Sequence, residues 1–193
     1  MSLNKDRLAV AIGKDGSTKA HIEKVTGTKI FIDSVSGNYR VESNPDCSPS
    51  DLFDENESVG LRIYMTQHIL QAINHGFNPE KALKLIDPEY MLEIIDLEKI
   101  VGHSEKKLKR IKGRLIGDKG KIRNSFEQFS GAQFSIYKKY IALIGNFETI
   151  KVAKKGINMI IQGFPHKTVL GYLTRKYQEK KQEEFTKMWK PVI

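Results

Sequence analysis

Apolar and polar residues follow two periods along this chain, and together they predict an alternating series of helices and strands. Apolar residues at helical spacing predict long helices over residues 57–76, 105–117, 147–163 and 166–185. Shorter apolar runs, most with alternating polar residues, predict strands over residues 28–33, 38–43, 92–97, 132–138 and 140–145. The mixture, with strands and helices interspersed, predicts an α+β fold.

The two halves of the chain contain copies of one unit. A shift of 104 residues aligns residues 12–32 with residues 116–136. Six aligned positions are identical: Ile12/Ile116, Gly13/Gly117, Gly16/Gly120, Glu23/Glu127, Gly27/Gly131 and Ile32/Ile136. Three glycines at the same spacing in both segments indicate an internal duplication, so the fold is predicted to consist of two similar modules.

Each module is predicted to run strand, helix, glycine turn, helix, strand, strand, helix. Gly27 and Gly131 follow the second helix of each copy, where a left-handed C-cap is expected, and Ser104 is placed to cap the helix 105–117. The leading strand of the first copy would fall at or before residues 1–4, so it is expected to be short or incomplete.

The predicted domain organisation is two modules with a structured connector. It comprises a first domain over residues 1–77, a connector over 78–91, a second domain with the C-terminal helix over 92–185, and a tail over 186–193. In the connector, Pro79 and Pro88 are placed to start helical turns. Residues 46–57 are predicted to form an acidic surface loop.

Composition excludes several classes of protein. No apolar run approaches the roughly 18 residues that a membrane span requires, and the N-terminus lacks the apolar stretch of a secretory signal. The single cysteine, Cys47, excludes an internal disulfide and favours the reducing cytoplasm. No cofactor or metal site is predicted, because the histidines are scattered without metal-ligand spacing. They are His21, His68, His75, His103 and His166.

Charge is segregated between the two halves. Residues 1–102 carry 11 Lys/Arg against 16 Asp/Glu, a net −5, whereas residues 103–193 carry 21 against 7, a net +14, and together these give the +9 of the whole chain. A half with this excess of positive charge favours a polyanionic partner, because each neutralised phosphate releases condensed counterions. Nucleic acid is therefore the predicted ligand of the second half.

The glycine turns are candidate phosphate sites. A Gly-x-x-Gly turn between two helices allows close approach of another backbone, and the N–H groups of the following helix N-terminus attract an anion. Lys14 and Lys119 add a cation to their turns, while Asp15 and Asp118 oppose it. Neither turn matches a P-loop or a Rossmann glycine motif.

Ile-Gly-x-x-Gly, followed eleven residues later by Thr/Ser-Gly, resembles the KH domain, and the element order resembles its type I form. The resemblance implies that the turn Gly117-Asp118-Lys119-Gly120 clamps about four nucleotides of single-stranded RNA. It also implies that Ile116, Phe134 and Ile136 lie at or under the floor of an aliphatic groove. The chain departs from the family at Lys19 and Arg123, where KH domains usually have an aliphatic residue.

A narrower resemblance covers nearly the whole chain. Tandem KH modules, the segments LEIIDL and RIKGRLIG, and GFPH before a C-terminal helix are similar to the archaeal relatives of the partner-of-Nob (Pno/Dim) proteins. This resemblance implies a role in ribosome biogenesis, with binding near the 3′ end of the precursor of small-subunit rRNA. The Nob endonuclease and the alpha subunit of translation initiation factor two are the protein partners that it implies.

The local charge around each turn predicts which copy binds RNA more tightly. Nine cations and one acid lie within residues 106–123, whereas the first turn has four cations and two opposing acids. The second module is therefore the predicted main RNA site, with residues Arg110, Lys112, Arg114, Ile116, Gly117, Asp118, Lys119, Gly120, Lys121 and Arg123. The weaker predicted site in the first module comprises Ile12, Gly13, Lys14, Asp15, Gly16 and Lys19.

A few residues outside the turns are secondary candidates. His166 and Lys167 begin the last helix and are candidates for phosphate contact; otherwise this helix packs on the second module. Tyr137 and Tyr140 can stack on a base, but placement in the core or on the sheet is favoured for both.

The predicted function is single-stranded RNA binding without catalysis. An enzyme is the rival class, but the two modules leave no residues for a nuclease core, and no carboxylates have metal-binding spacing. A second alternative is an RNA tether of a degradation complex such as the exosome, whose known examples carry an additional β-barrel. A third is a protein adaptor that works through the acidic first half, with initiation factor two alpha as the implied partner.

Overall fold

The computed structural model describes residues 2–44 and 58–189. In the first module the elements are α1 (Lys5–Ile12), α2 (Ser17–Thr26), β1 (Thr28–Ile32), β2 (Tyr39–Ser43) and α3 (Val59–Asn74). The connector contains α4 (Pro79–Ala82) and a 3-10 turn (Leu83–Ile86). The second module contains β3 (Met91–Asp96), α5 (Leu97–Val101), α6 (Glu105–Ile116), α7 (Lys121–Ser130), β4 (Gln133–Tyr137), β5 (Tyr140–Gly145) and α8 (Phe147–Ile161), and is followed by α9 (His166–Trp189).

The α+β architecture of two type I KH modules (βααββα) with a helical connector and a C-terminal helix is confirmed. The helix 166–185 continues to Trp189, and Pro88 lies in a turn, not at the start of a helix. The leading strand of the first module is reduced to a single antiparallel bridge between Ser2 and Asn38. Cys47 and the expected acidic loop lie outside the described residues.

Both sheets are antiparallel. The first module has the order β1-β2, with Ile30 opposite Val41, and the second has the order β3-β5-β4, with Phe134 opposite Leu143. Strands β3 and β4 therefore form the two edges of the second sheet, with β5 between them. The caps expected from the sequence are present: the Ser104 hydroxyl accepts a hydrogen bond from the Lys107 N–H at 3.5 Å, and Gly131 has a φ of 77°.

Strand β5 contributes side chains to two cores. Ile141 and Leu143 are buried in the second module, whereas Ala142 and Ile144 pack into the core of the first module. Successive side chains of a strand point to opposite faces, so the first module covers the outer face of the second sheet. The alternation typical of a half-buried strand is therefore absent from β5, which is buried on both faces.

Polar contacts also join the two modules. Ser135 on β4 donates a hydrogen bond from Oγ to the His75 carbonyl oxygen at 3.1 Å, and Lys81 Nζ lies 2.9 Å from Glu127 Oε1. The Tyr137 hydroxyl donates to Asp6 Oδ2. These contacts, together with the shared core, fix the orientation of the second module against the end of α3 and the connector.

Candidate nucleic-acid interface

The two glycine turns have the same backbone conformation. In the second module Gly117 has φ 71° and ψ −178°, Lys119 has φ 48° and ψ 29°, and Gly120 has φ 78°. In the first module Gly13, Asp15 and Gly16 have φ values of 78°, 52° and 80°. The two side chains between the glycines occur in opposite order, so that Lys119 takes the left-handed position that Asp15 takes in the first turn.

Gly117 is required by both conformation and space. Its φ and ψ fall in a region that is essentially restricted to glycine. A Cβ at this position would also lie 2.4 Å from Ile122 Cγ1 and 2.9 Å from Ile122 Cβ. The first turn of α7 therefore packs directly against the backbone of the turn.

The N-terminus of α7 is open to an external anion. No side chain among the described residues caps it, and its N-cap position is occupied by Gly120. The first N–H groups of a helix have no intrahelical acceptor, and the helix dipole favours an anion beside them. Asp118, Lys119 and Lys121 are all exposed at this end, with Lys121 Nζ 4.0 Å from Asp118 Oδ2. The turn thus offers backbone donors together with an exposed cation, Lys119.

Arg114, a predicted RNA contact, has partners inside the protein. Its guanidinium donates hydrogen bonds to the carbonyl oxygens of Ile160, at 2.7 Å, and Phe164. His166 Nε2 lies 2.9 Å from the Arg114 carbonyl oxygen. Arg114 and His166 therefore bind α6 to the end of α8 and the start of α9, while Lys167 is exposed.

Arg7 makes the corresponding contacts in the first module. Its Nε donates to the Ile73 carbonyl oxygen at 2.8 Å and its Nη2 to the Phe77 carbonyl oxygen. The sequence repeats the acceptor region as INHGF at residues 73–77 and IIQGF at residues 160–164. This second repeat marks the acceptor segment but not the arginines, because Arg7 and Arg114 do not align with the shift of 104 residues.

The departure from the KH pattern at Lys19 and Arg123 is explained by a pair of glutamates. Glu127 Oε1 accepts a hydrogen bond from the Phe134 N–H at 3.0 Å and lies 4.0 Å from Arg123 Nη2. Glu23 makes the same contacts, with the Ile30 N–H at 2.6 Å and Lys19 Nζ at 3.9 Å. Each cation therefore accompanies a carboxylate that holds the second helix against the first strand after it.

The three residues expected at or under the groove floor differ in exposure. Phe134 is fully buried and its ring stacks on Phe126 with centroids 5.6 Å apart, so it supports the floor from beneath. Ile116, at 39% exposure, and the half-buried Ile136 remain accessible to a ligand. Lys112 donates from Nζ to the Lys138 carbonyl oxygen at 3.0 Å and holds α6 to the β4–β5 turn.

Tyr137 and Tyr140 lie at the junction of the modules. The Arg7 guanidinium lies 5.8 Å from the centroid of the Tyr137 ring, whose hydroxyl contacts Asp6. The hydrogen bond from Tyr137, followed by that from Lys138, holds the pKa of Asp6 below its usual value. The Tyr140 ring packs edge-on against His75 with centroids 4.9 Å apart. Both tyrosines therefore have structural partners.

Gly113 is a feature that the sequence analysis missed. It is exposed in the middle of α6, and no atom lies within 4 Å of the position that a Cβ would occupy. Glycine in a helix interior costs about 1 kcal/mol relative to alanine, and no contact inside the protein requires it here. At helical spacing Gly113 shares a face with Ile116 and Gly117, so it leaves bare backbone beside the turn.

Comparison with known proteins agrees with this geometry. A family model of the second Pno1 KH domain, described as a eukaryotic-type KH domain (KH-domain type I), matches residues 91–178. The KH domain-containing protein MJ0443 of Methanocaldococcus jannaschii is 35% identical over 190 residues, which cover 98% of this chain and 78% of that protein. The pre-rRNA-processing protein pno1 of Aspergillus oryzae is 30% identical over 123 residues, 62% of this chain and 46% of that protein.

Solved structures show the same fold. In the crystal structure of the a/eIF2alpha–aDim2p–rRNA complex from Pyrococcus horikoshii, the matching chain is 39% identical with a TM-score of 0.81, and 93% of each chain is covered. The near-complete coverage includes both modules and the connector. The chain therefore belongs to the Pno/Dim family of KH-domain proteins, an RNA-binding family of rRNA processing.

Proposed function

We propose that this chain binds single-stranded RNA at the α6–α7 turn of the second module, in the 3′ region of small-subunit rRNA or its precursor. The observation that carries the proposal is the turn itself. An uncapped helix N-terminus, an exposed Lys119 and the exposed backbone at Gly113 lie together on one surface. A phosphate placed there receives hydrogen bonds from the helix N–H groups and a cation from the turn.

The first module is proposed to bind RNA more weakly. Its turn has the same backbone and an equally uncapped α2, with Gly16 at the N-cap. Two acids, Asp6 and Asp15, are however exposed near Lys5 and Lys14. Because phosphate contacts dominate RNA affinity, the difference in local charge favours the second module.

The proposed ligand and partners are supported by the relatives. The Aspergillus protein is named for pre-rRNA processing, and the Pyrococcus complex contains rRNA together with a chain named a/eIF2alpha. We infer a ribosome-biogenesis role in the cytoplasm, with initiation factor two alpha as a protein partner. The Nob endonuclease is a further partner implied by the family resemblance. The chain is proposed to bind RNA without catalysing a reaction.

Replacing Lys119 and Gly120 by Asp tests the clamp. The backbone accommodates Lys119→Asp, because Asp15 adopts nearly the same φ and ψ in the first turn. The double variant is expected to lose binding to a single-stranded oligonucleotide of the rRNA 3′ region, measured by fluorescence anisotropy, while its circular dichroism stays unchanged. The matched variant Lys14→Asp with Gly16→Asp is expected to weaken binding much less.

The two variants give outcomes that can be told apart. If the change at Lys119 and Gly120 left the affinity unchanged, the turn of the second module would not be an RNA clamp. Equal losses from both variants would contradict the ranking of the two modules. A scrambled oligonucleotide of the same length tests the rRNA assignment, since equal affinity for both RNAs would argue against recognition of the 3′ region.

A further inference from the structure

The N-terminal half of α6 carries a group of cations that lies outside the Gly117–Gly120 turn. We define the α6 ridge as Lys106, Lys107, Lys109 and Arg110, all of which are exposed. In the described part of the chain, none of these four side chains forms an ion pair, and the surface that they line contains only one further side chain, that of Ser104. Glu105, also exposed, is the acid of this turn.

Several other cations of the second module differ from the ridge because they have partners within the protein. Lys139 and Lys154 pair with carboxylates, Lys138 with Asp6, and Lys155 lies over the ring of Tyr172. The ridge thus concentrates unpaired positive charge on one helix. Such a cluster attracts phosphate more strongly than paired charges do, because no carboxylate has to be displaced.

The internal duplication shows that the ridge is an addition to the module. Helix α6 has 12 residues whereas α1 has 8, and the additional turn carries Lys106 and Lys107. With the shift of 104 residues, Arg110 aligns with Asp6, so the charge is reversed at this position. Lys109 aligns with Lys5, so three of the four ridge cations have no counterpart in the first copy.

Distance separates the ridge from the clamp. Lys106 precedes Gly117 by 11 residues, which corresponds to about 16 Å along a helix. A clamp that holds about four nucleotides at the turn leaves the first turn of α6 to other RNA. The ridge therefore requires a longer RNA than the clamp does, with a second segment that passes along α6.

The chemistry of the ridge indicates what kind of RNA that segment is. Among the described residues, the side chains that line this surface are four cations and a hydroxyl that already accepts from Lys107 N–H, and none of them is an aromatic ring on which a base can stack. Single-stranded RNA is usually held by stacking as well as by charge, whereas double-stranded RNA is recognised mainly through phosphates and sugars. We propose that the α6 ridge binds the sugar–phosphate backbone of a base-paired RNA segment that adjoins the single strand held by the clamp. This inference rests on the proposed function of the turn.

The test compares three RNAs: a short single strand, the same strand with a hairpin on its 5′ side, and the same strand with a hairpin on its 3′ side. For the unmodified protein, one hairpin RNA is expected to bind about tenfold more tightly than the single strand in about 0.1 M salt. The variant Lys106→Gln with Lys109→Gln is expected to lose this gain and to bind the single strand within about twofold of the unmodified protein.

A salt titration provides a second readout. Loss of two duplex phosphate contacts should lower the slope of log affinity against log salt by about 1.8 for the hairpin RNA. The matched control, Lys180→Gln with Lys181→Gln on α9, makes the same change of net charge and is expected to keep both the gain and the slope. Circular dichroism verifies that each variant is folded.

The inference would be overturned if neither hairpin increased affinity, if the gain survived in the α6 variant, or if the control variant lost as much affinity. If the α6 variant weakened single-strand binding as much as hairpin binding, the ridge would contact the clamped strand, and the inference would also be overturned. The variant of Lys119 and Gly120 tests the clamp separately, because it leaves the ridge unchanged. If that variant kept its affinity for the single strand, the proposed function would fail.

Discussion

Replacing Arg114 by Met should destabilise the protein without weakening its binding to RNA. Met keeps an unbranched apolar stem but removes the guanidinium, which donates to the Ile160 and Phe164 carbonyl oxygens. The end of α8 and the turn into α9 would lose these two hydrogen bonds. The RNA surface at the turn would keep its backbone and its exposed cation.

The expected loss follows from the burial of these bonds. A hydrogen bond from a charged donor contributes about 1.5–3 kcal/mol when buried, and water competes more strongly at a partly exposed site such as this one. We therefore assign about 1 kcal/mol to each bond and about 2 kcal/mol to the substitution. For a chain of this length the loss corresponds to a decrease in Tm of about 4–8 °C.

Thermal unfolding by circular dichroism measures the loss, and anisotropy at 20–25 °C measures the affinity for RNA. Arg7→Met is expected to lower the Tm by a similar amount, because Arg7 makes the same contacts in the first module. Arg110→Met is the opposite control: Arg110 is exposed, so stability should change by less than about 0.5 kcal/mol while the affinity for the hairpin RNA decreases. The reasoning would be refuted if Arg114→Met kept the Tm and lost RNA affinity.

Three further variants test the turn, the helix beside it and the module junction. The double variant Asp118→Lys with Lys119→Asp exchanges the two side chains, so it keeps the net charge but removes the cation from the left-handed position. Anisotropy should therefore show weaker RNA binding. Unchanged affinity would mean that RNA binding depends on the net charge of the turn and not on the position of the cation. Gly113→Ala should raise the free energy of unfolding in urea by about 1 kcal/mol, because nothing outside its own helix backbone lies within 4 Å of the new Cβ. The same variant should lower RNA affinity. A rise in both stability and RNA affinity would mean that Gly113 is not part of the RNA surface. The lowered pKa of Asp6 means that its contribution to stability is present above the ordinary value of 3.8 and is lost as pH falls through the lower folded value. An NMR titration should place its midpoint below 3.8, and Tyr137→Phe should raise it; a midpoint at or above 3.8 in the unmodified protein would contradict the junction contact.

The element order and the two turns were predictable because they depend on local sequence. Glycines at fixed spacing require positive φ wherever they occur, and Gly117 and Gly13 adopt the same conformation in both copies. Periodicity likewise located the four long helices and the five strands to within a few residues, apart from the C-terminal end of α9, whereas the short helix α5 was not predicted.

The partners of the cations could not be predicted from charge alone. The local sequence around Arg114 shows a cation in a basic cluster, but its two acceptors are carbonyl oxygens 46 and 50 residues away. Lys112 has the same kind of distant partner in the Lys138 carbonyl oxygen. Backbone carbonyls are present at every position and carry no sequence signal, so only the fold distinguishes a cation bound within the protein from one available to RNA.

Strand β5 also determines how the chain can fold as it is synthesised. Ala142 and Ile144 complete the core of the first module, yet they follow the end of α3 by some 70 residues. A growing chain exposes an incomplete first module until β5 emerges, and domains that emerge incomplete present apolar surface to chaperones and to other chains. We therefore expect the two modules to unfold in one cooperative transition, and an isolated first module to require solubilising substitutions where β5 would lie.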